Sequence, residues 1–138
     1  MATFNRVNSL VEALAEKVHN FSTDTLKVAL TNSAPSASNT QLSDITQISY
    51  TNLSSRTITT TSSSQTGGVY KLVLADLALT ASGGSVAAFR YIVIYNDTAT
   101  NDELIGWYDK GASVTLLDGD QLNIDFDGTN GVLQIALV

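Results

Sequence analysis

The sequence predicts a mainly β protein, an antiparallel β-sandwich or jelly-roll-like barrel of about eight strands that follows one amphipathic helix. Beyond residue 24, apolar and polar residues alternate with a period of two in several short segments. Turn-forming residues separate these segments at short, regular intervals, and no second helical stretch interrupts them. The chain also has 17 Thr, 15 Ser and 10 Asn but only 14% charged residues. This composition favours β structure with a neutral polar surface.

The length of 138 residues indicates one domain with one core. A chain of this size can bury about two-thirds of its unfolded surface, so it needs neither disulfides nor metals for stability. We therefore expect a single domain over residues 1–138, with the helix within residues 1–20 and the β-sandwich over residues 25–138.

The N-terminal segment has the apolar spacing of an amphipathic helix over residues 4–18. Thr3, Asn5 or Ser9 could cap its start, and the helix is expected to end at His19 and Asn20. The apolar stripe could cover the chain's own sandwich or dock onto another chain. The stripe consists of Phe4, Val7, Val11, Leu14 and Val18, with Leu10 beside it.

The first half of the β region is predicted to begin with a strand from Thr25 to about residue 31. Residues 32–43 hold the only proline among small polar residues and are expected to form an exposed loop. A short apolar piece follows at residues 44–50. Residues 56–62 are rich in β-branched but polar side chains, which is typical of an edge strand.

The second half is predicted to contain the most buried strands. Residues 62–68 indicate a flexible turn, and residues 69–80 a more buried strand. After a reversal at 82–84, residues 86–95 are the most apolar and β-prone segment, which we place at the centre of the fold. The remaining predicted elements are a loop at 96–102, a strand at 103–109, a tight Asp-Gly hairpin at 117–120, a strand at 122–126, a turn at 127–131 and a closing strand at 132–138.

The charge balance and the residue types exclude several functional classes. With 13 acidic and 7 basic residues, the net charge of −6 opposes binding to nucleic acid. The chain has no cysteine, which removes disulfides, thiolate chemistry and zinc–cysteine sites. Glu12 and Glu16 interrupt the apolar pattern that a secretory signal peptide requires, and no apolar run is long enough to span a membrane. We expect a soluble protein without nucleic-acid or membrane partners.

The sequence nominates no catalytic residue, so we expect no enzymatic activity. His19 is the only histidine, which excludes metal sites built on several imidazoles. A Ser-His-Asp triad would need this one ring to meet both a nucleophile and a carboxylate. The simpler interpretation is a histidine at a helix end that contacts backbone carbonyls or lies on the surface.

One dense group of carboxylates and two glycine pairs could suggest ligand sites. The carboxylates could hold Ca²⁺, but their spacing is not that of an EF-hand, and solvated turn and strand positions explain them. The glycine pairs at 67–68 and 83–84 do not lie between a strand and a helix, so they are interpreted as turns. We predict no cofactor and no metal. The carboxylates are Asp118, Asp120, Asp125 and Asp127.

Four aromatic residues could form a platform for sugar rings if their strands pair. The alternative is that they fill the core or its rim, as strand-borne aromatic residues usually do. These residues are Tyr91, Tyr95, Trp107 and Tyr108.

Several segments carry a resemblance to a known family over nearly the whole chain. They are Phe4-Asn5, residues 11–20, 24–35, 64–72, 89–91, 95–98, 104–109 and 125–131. In these segments the chain resembles small structural proteins encoded in tailed-bacteriophage and prophage genomes. None of the matching segments is a catalytic signature.

The resemblance implies a virion protein, first of all a capsid decoration or cement protein on the capsid surface, made in the cytoplasm of the host bacterium. Its partner would be the major capsid protein, and decoration proteins of this kind imply a homo-oligomer, by analogy a trimer. Two other classes stay open. The chain could be a tail component or a glycan-binding receptor domain, or a phage hydrolase, which the lone His19 disfavours.

Overall fold

The structure is a computed structural model that describes residues 2–137. It is mainly β, with antiparallel sheets, as the sequence predicts. The described residues form ten strands, one short helix and one turn of 3₁₀ helix at Leu42–Asp44. In chain order these are β1 (Phe4–Arg6), α1 (Leu10–Ala15), β2 (Leu26–Thr31), β3 (Thr57–Ile58), β4 (Thr60–Thr66), β5 (Val69–Leu74), β6 (Leu77–Thr80), β7 (Phe89–Asn96), β8 (Leu104–Val114), β9 (Gln121–Ile124) and β10 (Leu133–Ala136).

The strands form three open sheets that share one hydrophobic core. The five-stranded sheet has the order β1-β8-β7-β2-β3, the three-stranded sheet the order β10-β5-β4, and β6 pairs with β9. Among residues 2–137 no sheet closes on itself, so the alternative of a closed barrel is not realised. Buried side chains from all three sheets, among them Leu30, Leu72 and Ile124, belong to a single cluster. The arrangement is therefore sandwich-like.

The predicted number of about eight strands is too low, for two physical reasons. Residues 56–62 and 69–80 were each expected to form one strand, but each segment divides between two sheets. The N-terminus supplies a further strand, β1. The prediction of an edge strand at residues 56–62 is confirmed, because β3 and β4 each lie at the end of a sheet.

The predicted helix over residues 4–18 is wrong at both ends. Phe4 pairs with Tyr108 in β8, where their ring centroids lie 5.1 Å apart, so this residue belongs to a strand. The helix ends at Ala15 because Lys17 adopts a left-handed conformation with φ of 64°. A hydrogen bond of 2.9 Å from Val18 N to Ala13 O closes this end, as in a Schellman motif.

The N-terminal segment packs on its own domain. Val7, Leu10 and Ala13 are buried, and the first two belong to the shared core cluster. Val11, on the other side of α1, is exposed. Val7 and Leu10 of the predicted stripe therefore cover the chain's own core, whereas Val11, assigned to the same stripe, faces outward.

Strand β7 occupies the centre of the five-stranded sheet, as predicted. All residues from Ile92 to Asn96 are buried, without the alternation of a strand that has one wet face. Both faces of β7 are therefore covered by other parts of the chain.

Two of the predicted turns differ in extent or in role. The turn expected at residues 62–68 is confined to Gly67 and Gly68, whose positive φ values of 60° and 81° suit a two-residue hairpin. The preceding residues pair with β5, which overrides their weak strand propensity. Residues 117–120 form a turn, but it connects β8 to β9 in another sheet and is not a hairpin.

The described residues contain no helix with the length and apolar character that crossing a membrane requires.

Candidate functional site

His19 is buried at one end of the five-stranded sheet. Only 7% of its surface is exposed, and its ring stacks on Phe21 with centroids 5.2 Å apart. Its Nδ1 atom lies 2.9 Å from Nδ2 of Asn96, the last residue of β7. The expectation that His19 lies on the surface or contacts backbone carbonyls is therefore wrong, because a buried amide is its partner.

Both the oxygen and the nitrogen of the Asn96 side-chain amide form hydrogen bonds. It is fully buried, and its Oδ1 accepts hydrogen bonds from the backbone N–H groups of Thr98 and Ala99 at 3.0 and 3.2 Å. Its Nδ2 donates to His19 and to Asp24 Oδ2, the latter at 2.6 Å. The amide thus connects the segment after α1 to the loop after β7.

The amide orientation fixes the tautomer of His19. Because Asn96 Oδ1 accepts from two backbone N–H groups, its nitrogen is the group that faces the imidazole. Nδ1 of His19 is then the acceptor and the proton of the neutral ring lies on Nε2. Within residues 2–137, Nε2 is buried and has no hydrogen-bond partner. Burial lowers the pKa of His19, although the charges of Glu103 and Asp24 act in the opposite direction.

This cluster holds loops together and lacks the arrangement of a nucleophilic triad. Asp24 meets His19 through Asn96 and not through a direct carboxylate–imidazole hydrogen bond. Asp24 also accepts a hydrogen bond of 2.8 Å from the backbone N–H of Asn20. The bonds from Asn96 to His19 and Asp24 join distant segments of the chain. The remaining bonds of these side chains close local turns, so the polar groups serve the structure of the loops.

Stability is expected to fall as the pH decreases from about 8 to about 5, because of His19. The unfolded chain binds the proton at the ordinary pKa of 6.5, whereas the folded chain binds it only at a lower pH. The contribution of the neutral ring is thus complete above that value and disappears as the pH falls through the folded pKa. Urea denaturation across this range measures the effect. The variant His19→Gln should lose less stability over the same range, and an equal loss in both proteins would contradict the assignment.

The four carboxylates that the sequence places close together do not form one cluster in the structure. Asp118 Oδ1 accepts a hydrogen bond of 3.0 Å from Gly83 N, and Asp120 Oδ2 accepts one of 2.9 Å from Leu117 N. In the part of the chain that the structure describes, no three His, Asp or Glu side chains are close enough to share a metal ion. The calcium hypothesis therefore has no assembled ligand set to support it.

Asp127 likewise acts on its own turn. Its Oδ1 accepts hydrogen bonds from the backbone N–H groups of Asn130 and Thr129 at 2.8 and 2.9 Å. These bonds lower the pKa of the Asp127 carboxyl, with the contact to Asn130 as the largest cause. Asp125 is exposed on the segment that follows β9. The interpretation of these four carboxylates as turn and face positions agrees with this geometry.

The four aromatic residues lie on paired strands but do not form an exposed platform. β7 and β8 pair, with Trp107 opposite Val93. Tyr95 and Tyr108 are only 3% and 7% exposed, so they contribute to the core. Tyr91 and Trp107 are half-buried. A sugar-binding surface made of all four rings is therefore not present.

Tyr108 belongs to an aromatic cluster in the core. Its ring centroid lies 5.1 Å from that of Phe4 and 6.2 Å from that of Phe126. Burial, with smaller contributions from the charges of Asp127 and Asp125, raises the pKa of Tyr108 to about 12. The phenol therefore stays protonated at neutral pH and serves packing.

The role of Asn96 was missed by reasoning from the sequence, which placed this residue at the start of a polar loop. One signal could have indicated it. Asn96 directly follows an unbroken apolar run, and an amide at the end of a buried strand must find hydrogen-bond partners. Its partners His19 and Asp24 are 77 and 72 residues away along the chain, so no local pattern connects them.

Comparison of the chain with protein-family models, with curated proteins and with solved structures gave no match.

Proposed function

We propose that this chain is a virion structural protein of a tailed bacteriophage, a decoration or cement protein that binds the outer lattice of the capsid and stabilises the head. Its partner is the major capsid protein, and it acts as a homo-oligomer, by analogy a trimer. It is made in the bacterial cytoplasm and is not an enzyme. We also propose that the fold is a β-sandwich. The five-stranded sheet forms one layer, and the three-stranded sheet together with the β6–β9 pair forms the other.

The observation that carries the proposal is that polar side chains form hydrogen bonds with the backbone of loops. The buried amide of Asn96 and the carboxylates of Asp118, Asp120 and Asp127 all bind backbone groups of loops. A chain built in this way presents a fixed surface, and a fixed surface binds a lattice without the entropy cost of ordering its loops.

The surface composition supports the same role. Hydroxyls and amides supply most of the polar groups, and the net charge of −6 keeps many copies soluble before assembly. Contacts that are weak one by one become strong on a symmetric lattice, because each further contact is made at high effective concentration.

A tail component or glycan-binding receptor domain is the alternative from the resemblance. The burial of Tyr95 and Tyr108 removes half of the aromatic surface on which sugar binding would depend. The decoration protein is therefore the better supported of the two.

Electron microscopy of the intact phage particle whose genome encodes this chain tests the proposal. We expect density for the chain on the outer shell lattice, in contact with the major capsid protein. Density at the tail tip would favour the receptor domain, and a particle without this chain would contradict a virion role altogether.

A further inference from the structure

Asn130 and Gly131, in the turn before β10, form the only Asn-Gly pair in the chain. In flexible peptides this pair deamidates spontaneously, because glycine has no side chain that hinders attack by its backbone nitrogen. The nitrogen of Gly131 bonds to Cγ of Asn130, and Nδ2 leaves as ammonia. Water then opens the succinimide ring, which leaves aspartate or isoaspartate at position 130. The reaction consumes only water, so the fold alone decides how fast it proceeds.

In the folded chain, Asp127 binds both groups that take part in the reaction. Its backbone oxygen accepts a hydrogen bond of 3.0 Å from Gly131 N, the attacking atom. Its Oδ2 accepts one of 3.2 Å from Asn130 Nδ2, the leaving atom. Its Oδ1 accepts two more, from the backbone N–H groups of Thr129 and Asn130. Because the attacking nitrogen must first lose the proton that it donates to Asp127, the reaction requires this turn to open.

The turn is also attached to the neighbouring strand β5. Lys71 Nζ donates a hydrogen bond of 3.1 Å to the backbone oxygen of Thr129. On the other side of the turn, Val132 N donates one of 2.9 Å to Leu72 O. Opening of the turn therefore also weakens the contact between β5 and the start of β10.

Neither product of the reaction fits the closed turn. Aspartate at position 130 places a carboxylate against Oδ2 of Asp127, where an amide nitrogen now donates, so that repulsion replaces a hydrogen bond. Isoaspartate adds one atom to the backbone before Gly131. This residue lies so close to Leu72 that a Cβ on it would overlap the Leu72 backbone oxygen, which leaves no room for a longer backbone. A deamidated chain therefore does not close the turn again.

We propose that Asn130 is a site of spontaneous deamidation, that opening of the turn at residues 127–131 sets its rate, and that the product keeps the turn open. Asp127 is the residue that slows the reaction, because its carboxylate and its backbone oxygen hold the turn closed. Since no step restores the amide, the fraction of chains with a loosened β10 increases with the age of the protein. This chemistry belongs to the chain itself and is independent of a role in a virion.

Ageing of the purified chain at mildly alkaline pH tests the site and its control by Asp127. Mass spectrometry of the tryptic peptide that follows Lys110 locates the modified residue, and we expect Asn130 to deamidate before any other Asn. The variant Asp127→Ala should deamidate about tenfold faster, because loss of the carboxylate favours the open turn. The matched control Asp118→Ala removes a carboxylate that binds the backbone of a different turn and should deamidate at the rate of the unmodified chain.

The variant Asn130→Asp reproduces the aspartate product and provides a second measurement. Hydrogen exchange should show that the amides of β10 that pair with β5 are less protected than in the unmodified chain. Asn32→Asp adds the same charge in an exposed loop and should leave this protection unchanged, and circular dichroism establishes that all variants are folded. The proposal is overturned if another Asn deamidates first, if Asp127→Ala and Asp118→Ala age at the same rate, or if Asn130→Asp retains the full protection of β10.

Discussion

Replacing Asn96 by alanine is expected to lower the free energy of unfolding by about 3 kcal/mol. The change removes the acceptor for the N–H groups of Thr98 and Ala99 and the donor to His19 and Asp24. It also leaves both ring nitrogens of His19 without a partner, because Nε2 already has none among the described residues. Buried polar groups without partners keep their desolvation cost, which makes this loss larger than that of one ordinary hydrogen bond.

Urea denaturation at neutral pH measures this prediction, with Asn32→Ala as the matched control. Asn32 is exposed, so its replacement should change stability by less than about 0.5 kcal/mol. The isosteric variant Asn96→Asp should also be destabilised, because it brings a second carboxylate against Asp24 Oδ2. If Asn96→Ala proved as stable as the control, the amide would not connect the two loops as described.

Replacing Gly106 by alanine is expected to cost about 3 kcal/mol, at the upper end for overpacking, and to detach β1. Gly106 lies opposite Arg6, and a methyl group there would overlap the backbone oxygen of Asn5 and the ring of Phe4. The oxygen belongs to the paired strand, so it cannot move away without breaking the β1–β8 ladder. Detachment would also uncover the Phe4 side of Tyr108.

Gly128→Ala is the matched control for this change. Gly106 and Gly128 are the two glycines that lack a positive φ, and a Cβ at Gly128 meets nothing within 4 Å. The control should retain its stability to within about 0.5 kcal/mol. Amide hydrogen exchange should show loss of protection in β1 for Gly106→Ala alone. Equal stability of the two variants would mean that the N-terminal segment does not pair with β8.

Local patterns predicted those elements that depend on neighbouring residues. The alternation from Leu26 onward predicts β2, and the apolar run over residues 86–95 predicts the central strand β7. The polar, β-branched segment at 56–62 was correctly assigned to a sheet edge. The burial of β2 was not predicted by its alternation, because Ala29 and Thr31 on the second face are also buried.

The features that were not predicted depend on contacts between distant residues. The spacing of Phe4 and Val7 predicts a helix, but Phe4 pairs with β8, where the missing side chain of Gly106 leaves room for the backbone of Asn5 and the ring of Phe4. Residues 62–66 have weak strand propensity, yet the glycine pair that follows them folds them onto β5. The cluster around Asn96 was missed for the same reason, since its members come from segments more than 70 residues apart.

Purified chain added to capsid shells that lack it tests most directly whether this protein stabilises a particle. The chain should co-sediment with the shells until their sites are saturated, and loaded shells should open at a higher temperature than bare ones. Shells that bind no chain, or that bind it and open at an unchanged temperature, would contradict a cementing role.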